Sequence, residues 1–169
     1  MTKRVFLLLL TLFFCLSEAA AAPKTDADSL PRMASLRSSL VNARSGPGRR
    51  YPVDWVYTQR GAPVEIIQEY VYEQELWYQI KDWENSTGWV HHTMISNNRF
   101  AKVITQGENN LYARPDYKSK VIARVESDVV GAVKKCPKNE EFCLIKFSSI
   151  EGWMPKKDIF GVYKDEVIE

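Results

Sequence analysis

The feature that most constrains this chain of 169 residues is an internal repeat. Three short segments of the first half recur in the same order in the second half, at offsets of 64 to 70 residues. Residues 41–47 match 111–115, residues 77–81 match 142–146, and residues 88–90 match 152–154. A conserved order at nearly constant spacing indicates two copies of one structural unit, with residues 71–75 as an insertion in the first copy. Two units this small leave no room for a large enzyme fold.

Within each copy, apolar and polar residues alternate over short runs, which is the spacing of half-buried β-strands. Examples are Val41 and Ala43, Val64 and Ile66, Tyr78 and Ile80, Leu111 and Ala113, and Cys143 and Ile145. Glycine, proline and asparagine clusters interrupt the runs, and no long helical stripe occurs. The pattern predicts an all-β protein of two tandem small barrels or sandwiches, because closure of a small antiparallel sheet hides its strand edges.

The first 21 residues have the pattern of a cleaved signal peptide. A basic start and an apolar run over residues 5–16, too short to span a bilayer, lead into a run of alanines suited to a signal peptidase. We expect cleavage after Ala21, no membrane span in the mature protein, and a flexible leader over residues 22–32. Lipidation at Cys15 is the weaker alternative, because a bulky phenylalanine precedes it. The mature protein is expected to be periplasmic or secreted.

Cleavage leaves two cysteines, Cys136 and Cys143, both in the second copy. An even cysteine pair in an exported chain favours a disulfide, here across a hairpin tip between two strands. A metal pair and a redox centre are the alternatives. The second copy has no histidine to complete a metal site, and the six-residue gap is unlike a Cys-x-x-Cys redox motif.

The charge balance and the titratable residues argue against several function classes. A net charge of +2 is too small for a protein that binds the phosphate backbone, so nucleic acid is not an expected partner. The adjacent His91 and His92 project to alternate faces and do not suit one metal ion. Acidic pairs such as Asp82 with Glu84 fall at predicted hairpin tips, where water removes any acid–base advantage. We therefore expect no cofactor and no enzymatic activity.

Six segments of the first copy resemble, in order, the bacterial Src homology 3 (SH3-like) domain. They are residues 41–48, 51–53, 60–61, 64–66, 77–80 and 88–91. The second copy resembles it less, because Pro115 and Asp116 replace a Ser-Gly-Pro turn and Phe142 stands at the Trp77 position. The resemblance implies five-stranded barrels at residues 33–98 and 99–163, followed by a C-terminal tail at 164–169. It also implies attachment to cell-wall peptide or other partners rather than catalysis.

Aromatic residues are concentrated in the first copy, which makes it the expected ligand-binding unit. The candidate ligand-binding residues are Arg49, Arg50, Tyr51, Trp55, Tyr57, Trp77 and Trp83. Alternation along its strand points Trp77 outward, and the resemblance places it beside a peptide groove, which we expect it to share with Tyr51. The alternative for each ring is a lid lying flat on the barrel. Trp89 and Trp153 are assigned mainly to the core.

Arginines near the first glycine-rich turn are candidates for pairing a peptide carboxylate, because a guanidinium matches it with two parallel donors. Arg49 and Arg50 are equally consistent with a solvated loop, and Arg44 is assigned to a structural bond. The expected function is binding of cell-wall peptide (peptidoglycan) through an aromatic groove on the first barrel. The alternative is a scaffold that binds another envelope protein and no cell-wall ligand.

Overall fold

The computed structural model describes residues 30–169, which form two antiparallel sheets of seven strands each. The predicted signal peptide and most of the predicted leader lie outside the described residues, while Arg32 already begins the first strand. In the described part of the chain, no helix is long and apolar enough to cross a membrane.

The first sheet is built from strands β1 to β7. Their bounds are β1 Arg32–Leu36, β2 Val41–Arg44, β3 Val53–Tyr57, β4 Pro63–Tyr72, β5 Glu75–Lys81, β6 Thr87–His91 and β7 Ile95–Ser96. A short 3-10 helix at His92–Met94 joins β6 to β7. The strands are ordered β3-β2-β6-β5-β4-β1-β7, so the first strand of the unit lies between β4 and the last strand.

The second sheet repeats this arrangement with strands β8 to β14. Their bounds are β8 Phe100–Val103, β9 Glu108–Tyr112, β10 Val121–Glu126, β11 Val130–Lys135, β12 Phe142–Phe147, β13 Ile150–Pro155 and β14 Ile159–Phe160. The order β10-β9-β13-β12-β11-β8-β14 is that of the first sheet, and a 3-10 helix at Lys156–Asp158 again precedes the last strand. The predicted fold class, two tandem all-β units, is confirmed.

Each unit has seven strands where five were expected. The difference arises at the ends of each unit, where the opening strand pairs with a final strand of only two residues. A two-residue strand is too short to show the alternation by which strands are recognised in a sequence.

Each barrel encloses its own cluster of buried apolar side chains. Leu36, Val41, Ile66, Ile80 and Val90 are at most 1% exposed in the first cluster. The second cluster contains, among others, Val103, Leu111, Ile145, Met154 and Ile159. Inward residues follow every second position of their strands, because successive side chains of a strand point to opposite faces.

Trp89 and Trp153 do not belong to these interiors, and their assignment to the core is wrong. Both are half-buried, while the next residue along, Val90 or Met154, is fully buried in its barrel. Trp89 instead packs edge-on against Tyr70, with ring centroids 6.4 Å apart. Because Val90 and Met154 point inward, alternation along the strand places the preceding tryptophans on the outer face.

Cys136 and Cys143 form the predicted disulfide, which joins the end of β11 to the start of β12 across the hairpin. Both cysteines are fully buried in the second interior. The C-terminal tail packs beside this bridge, because the backbone of Ile168 exchanges two hydrogen bonds with that of Cys136, at 2.7 and 3.0 Å.

An ion pair also ties the tail to the second barrel. The guanidinium of Arg99 donates two hydrogen bonds to the Glu166 carboxylate, which also accepts the backbone N–H of Tyr163. Burial raises the pKa of Glu166, but these hydrogen bonds outweigh it and hold the pKa below its usual value.

Polar and aromatic contacts join the two barrels. The Tyr163 hydroxyl donates to Glu65 at 2.9 Å, and Glu65 also pairs with Lys81 at 2.5 Å. The ammonium of Lys102 lies 3.8 Å from the ring centroid of Trp83 and 3.0 Å from the Asp128 carboxylate. Lys102 is 5% exposed, so this cation–π contact is largely removed from water and contributes more than a surface pair would.

Candidate functional site

The structure distributes the seven predicted ligand-binding residues over three places. Trp77 and Arg49 line a cavity on the outside of the first barrel, which we call the Trp77 cavity. Trp55, Tyr57 and Trp83 line a second cavity beside Lys102 of the second barrel, which we call the junction cavity. Arg50 and Tyr51 stack with Tyr72 at the β4–β5 hairpin. Tyr51 does not line the Trp77 cavity, and the groove that we expect Trp77 and Tyr51 to share stays a prediction.

The Trp77 cavity has a volume of about 240 Å³ and combines hydrogen-bonding and apolar walls. Its lining residues are Leu40, Asn42, Arg44, Arg49, Trp77, His91, Thr93 and Met94. They come from β2 and its flanking loops, from β5, and from the end of β6 with the 3-10 helix that follows. Leu40 is 67% exposed at the mouth.

Trp77 lies outside the interior cluster that contains Leu76, Tyr78 and Ile80, its neighbours along β5. Its side chain is nevertheless only 2% exposed, so a position on the outer face of the strand does not leave the ring open to solvent. The strand neighbour His91 covers it, with the two rings edge-on and their centroids 5.2 Å apart. Alternation determines the face of a strand residue but not what neighbouring loops and strands place over it.

The indole N–H of Trp77 is buried and has no hydrogen-bond partner among residues 30–169. Tryptophan has no other polar atom, so the whole ring lacks a hydrogen bond in the described chain. A buried donor without an acceptor costs roughly 1 to 3 kcal/mol. Buried tryptophan N–H groups usually find a partner, which makes this one a candidate contact for a ligand.

A carboxylate of the protein already lies between two basic groups near this cavity. The Arg49 guanidinium donates to both oxygens of Glu75, at 3.0 and 3.4 Å, and His91 Nε2 lies 4.0 Å from the same carboxylate. Burial, and then repulsion from His92, lower the pKa of His91 below its usual value, so its ring is neutral at neutral pH. The positive charge on this side of the cavity therefore comes from arginine.

Arg44 has a structural bond, as expected from the sequence. Its Nη1 donates to the backbone carbonyls of Tyr51, at 2.7 Å, and Arg49, at 3.2 Å, which holds the glycine-rich turn against β2. The same side chain lines the Trp77 cavity and adds a second cationic group to its wall. Within residues 30–169, the Arg114 side chain of the second barrel makes no equivalent hydrogen bond, and its backbone N–H bonds to the Ser119 hydroxyl.

Arg50 and Tyr51 form a separate surface feature with Tyr72. The Arg50 guanidinium lies 5.2 Å from the ring centroid of Tyr51 and 4.6 Å from that of Tyr72. The Tyr51 ring packs on Gly46, where a Cβ would approach it to 2.5 Å. Glycine is therefore required at position 46 for the ring to lie flat on the turn.

The junction cavity, with a volume of about 340 Å³, holds Trp55 and Trp83 at its walls. Trp83 is half-buried under Lys102, so its aromatic face is occupied by the second barrel. Trp55 and Trp83 both pack edge-on against Tyr57, at centroid distances of 6.2 and 6.3 Å. Of these three rings, Trp83 makes a direct contact with the second barrel, through Lys102.

Tyr57 and Asp82 are both buried. The sequence predicted a ligand-binding ring for Tyr57 and a hydrated position at a hairpin tip for Asp82. Tyr57 is 7% exposed and belongs to the first interior, and burial raises its pKa. Its hydroxyl donates to Asp82 at 2.9 Å, and the other Asp82 oxygen accepts the backbone N–H groups of Glu84 and Ser86. Asp82 is thus the fixed centre of the β5–β6 turn rather than a hydrated residue at a hairpin tip, because these donors replace water.

Six residues of the Trp77 cavity were not predicted as site residues: Leu40, Asn42, Arg44, His91, Thr93 and Met94. A sequence signal existed for Asn42, because the inward positions Val41 and Ala43 leave it on the outer face. Thr93 and Met94 lie in the 3-10 helix, which is too short for a periodic sequence pattern to predict it.

The second barrel differs at the position that matches Trp77. Phe142 is 3% exposed and lies under Tyr117, with ring centroids 4.8 Å apart, and also against Tyr112 at 5.9 Å. A larger cavity of about 580 Å³ lies nearby, between the disulfide hairpin and the C-terminal tail. Lysines and carboxylates are mixed along its wall, and the described residues of either barrel contain no cluster of ligands suited to a metal ion.

Comparison with known proteins places this geometry in context. No curated protein matches the chain. Solved structures that resemble it include "Structure of NlpC2 from Trichomonas vaginalis", at 16% identity over 77% of this chain, and "Structure of NlpC1 from Trichomonas vaginalis", at 14% over 85%. The TM-score is 0.32 for each, and the chain spans about half the length of each, 48% and 50%.

The family described as "Bacterial SH3 domain" matches twice, over residues 37–97 and 105–161. The first match covers β2 to β7 and the second covers β9 to β14, so the opening strand of each sheet, β1 or β8, lies outside the match. The two matches together cover well over half of the chain, and each lies within one of the two units. The chain therefore belongs to the bacterial SH3 domain family, of which it carries two tandem copies.

Proposed function

We propose that this protein is an exported, non-enzymatic binding protein that holds a short peptide of the bacterial cell wall in the Trp77 cavity. The observation that carries the proposal is the buried Trp77 indole, whose N–H has no acceptor within the described chain. A peptide supplies one such acceptor at every carbonyl, and a bound carbonyl would recover the free energy that the unpartnered donor costs.

The walls of the cavity also suit a peptide. Leu40 and Met94 offer apolar contacts, whereas Asn42 and Arg44 offer donors. Binding sites for small ligands combine an apolar lining with a few fixed polar groups in this way. A volume of about 240 Å³ holds one or two side chains of a peptide, so the rest of the ligand would lie along the surface.

The rings of Tyr51 and Tyr72, which both contact the Arg50 guanidinium, extend this surface beside the glycine-rich turn. Arg44 connects the two areas, because it lines the cavity and holds the Tyr51 carbonyl. Aromatic side chains with polar tips cover contact area at a small loss of side-chain freedom. We place the remaining peptide contacts here rather than in the junction cavity, where the second barrel already covers Trp83.

The proposal includes no catalytic step. Both cysteines of the described chain are joined in the disulfide, so neither is available as a thiol nucleophile. His91 Nδ1 accepts the backbone N–H of Thr93 at 3.4 Å, which caps the 3-10 helix, and also lies 2.7 Å from the Thr93 hydroxyl.

A second candidate function, a scaffold for another envelope protein, is favoured by two matching strands. β3 and β10 each pair with a single neighbour, and each exposes two aliphatic residues. These are Val53 and Val56 on β3, and Val121 and Ile122 on β10. A strand with a free edge can add a strand of a partner protein.

Retention on purified peptidoglycan sacculi separates the two candidates. The mature protein should be retained, and Trp77→Ala should reduce retention roughly tenfold, as for a central contact residue. Trp153→Ala is the matched control, because Trp153 is a half-buried outer tryptophan of the second barrel, and it should be retained like the wild type. Absence of wild-type retention, with an envelope protein co-purifying instead, would reject cell-wall binding and support the scaffold.

A further inference from the structure

The proposed function leaves open which chemical group of a peptide occupies the Trp77 cavity, and the charges around it bear on that question. Arg44 and Arg49 line the cavity, while Glu75 is the acidic residue that pairs with Arg49. With His91 neutral, the two guanidinium groups outnumber the one carboxylate. The site therefore has an excess of positive charge, which favours an anionic acceptor over a neutral carbonyl.

The pair between Arg49 and Glu75 is easily broken. The Arg49 side chain is 73% exposed and that of Glu75 is 36% exposed. Exposed ion pairs contribute little, because water and salt screen them. Arg49 can therefore bind a carboxylate at the position of Glu75, and its pair with Glu75 itself is weak enough to be replaced.

We propose that the Trp77 cavity binds a peptide carboxylate, which accepts the indole N–H of Trp77 and displaces Glu75 from Arg49. This inference rests on the proposed function for the site and specifies the group that the site recognises. The indole nitrogen is buried in the free protein. Leu40 and Arg49 line the same cavity, and their mostly exposed side chains are free to move without disturbing the barrel. The bound carboxylate then satisfies a donor that the free protein leaves without a partner.

The indole N–H is itself the reporter for the test. In ¹H–¹⁵N correlation spectra of the whole mature protein, the Trp77 indole signal is assigned by its absence from Trp77→Phe. The probes are N-acetyl-alanyl-alanine, its C-terminal amide, and N-acetyl-alanyl-glutamate with an amidated C-terminus. The first carries a terminal carboxylate, the second carries none, and the third carries only a side-chain carboxylate.

We expect saturable downfield movement of the Trp77 indole proton with one or both acids and none with the amide. The acid that binds more tightly identifies the source of the carboxylate. Equal movement with the amide, or no saturable movement with any probe, would overturn the inference. Neither result depends on retention by sacculi, so the inference can fail while the proposed function stands, and the converse also holds.

Three variants sharpen the test, with affinity measured by the movement of backbone amide signals around the cavity. Trp77→Phe keeps an aromatic side chain and removes the donor, and should weaken binding of the acid roughly tenfold, as expected for a hydrogen bond to a charged group. Glu75→Gln removes the internal competitor and should strengthen binding about two- to threefold. Glu108→Gln, which breaks the exposed Arg124–Glu108 pair of the second barrel, is the control and should leave binding unchanged.

Weaker binding in Glu75→Gln would show that Glu75 supports the ligand rather than competing with it, and would reject the displacement. Unchanged binding in Trp77→Phe, with the thermal stability of the variant intact, would reject the hydrogen bond.

Discussion

The two barrels of this protein have the same strand order, but they differ at one matched position on the outer face. The aromatic residue there lines a cavity in the first barrel and is covered by other rings in the second. In the first barrel, Trp77 pairs with His91 and lines an open cavity. In the second, Phe142 pairs with Pro155 and lies under Tyr117. The phenylalanine ring needs no hydrogen bond and is covered by other rings, so its site is complete. The indole needs an acceptor that the described chain does not supply.

This difference shows which positions of a duplicated barrel are free to diverge. Inward positions such as Ile80 and Ile145 keep the same residue type, because they fill a closed interior. Outer positions do not have to fill a closed interior, so their residue type can change with the loops that lie next to them. Function is therefore expected where the outer faces differ, not where the interiors agree.

The largest expected effects test whether the two interiors are energetically separate. Ile80→Ala and Ile145→Ala each remove a fully buried side chain from one barrel, and each should lower the free energy of unfolding of that barrel by about 2 to 5 kcal/mol. Hydrogen exchange read by mass spectrometry assigns the loss to one barrel or the other. Val56→Ala, at an exposed position of β3, should change little.

Equal loss of protection in both barrels after either isoleucine substitution would contradict separate interiors. It would mean that the contacts of Lys102 with Trp83 and of Tyr163 with Glu65 join the barrels into one cooperative unit.

Reduction of the disulfide is expected to have the next largest effect, and only on the second barrel. The Cys136–Cys143 bridge closes a short loop, so its loss should lower the free energy of unfolding by about 2 to 3 kcal/mol, mainly through the entropy of the unfolded chain. Denaturant titration with and without reductant measures this. The first barrel has no cysteine and should unfold at the same denaturant concentration in both titrations; a shift in its midpoint would contradict the assignment.

The sequence was sufficient for the duplication, the fold class and the disulfide, because each depends on local patterns that occur in both copies or on a cysteine pair. Inward residues such as Val41 and Ile80 were predicted by alternation alone. The seventh strand of each unit was not, since Ile95–Ser96 and Ile159–Phe160 are too short to alternate.

The candidate site was predicted less well, because it depends on which loops meet. Aromatic richness selected Trp77 but also Tyr57, which burial in the interior removes from the surface. Trp83 was selected as a contact residue, but the second barrel covers it through Lys102. The position of Glu75 beside Arg49 follows from a hairpin and a turn that are distant in the sequence, and no local pattern encodes that contact.

The smallest expected effect is a pH dependence that belongs to the first barrel. His91 caps the 3-10 helix of that barrel, whereas Pro155 stands at the matched position of the second and has no titratable group. Burial, followed by repulsion from His92, places the pKa of His91 below 6.5, so the unfolded chain takes up this proton at a higher pH than the folded protein does. The free energy of unfolding of the first barrel should therefore fall as the pH drops below about 6.5.

The free energy of unfolding should depend on pH differently in the two barrels, because their titrating groups change protonation in different pH ranges. The pKa of Glu166 lies below 4.5, so its ion pair with Arg99 begins to be lost only at more acidic pH, and the second barrel should stay constant while the first weakens. Hydrogen exchange of each barrel between about pH 7 and pH 5 measures the difference. His91→Gln should flatten the curve of the first barrel. His92→Gln should preserve the slope but shift it to higher pH, because it removes the repulsion and leaves the burial of His91 in place. A slope that survives His91→Gln, or that appears equally in the second barrel, would show that the dependence arises from another group.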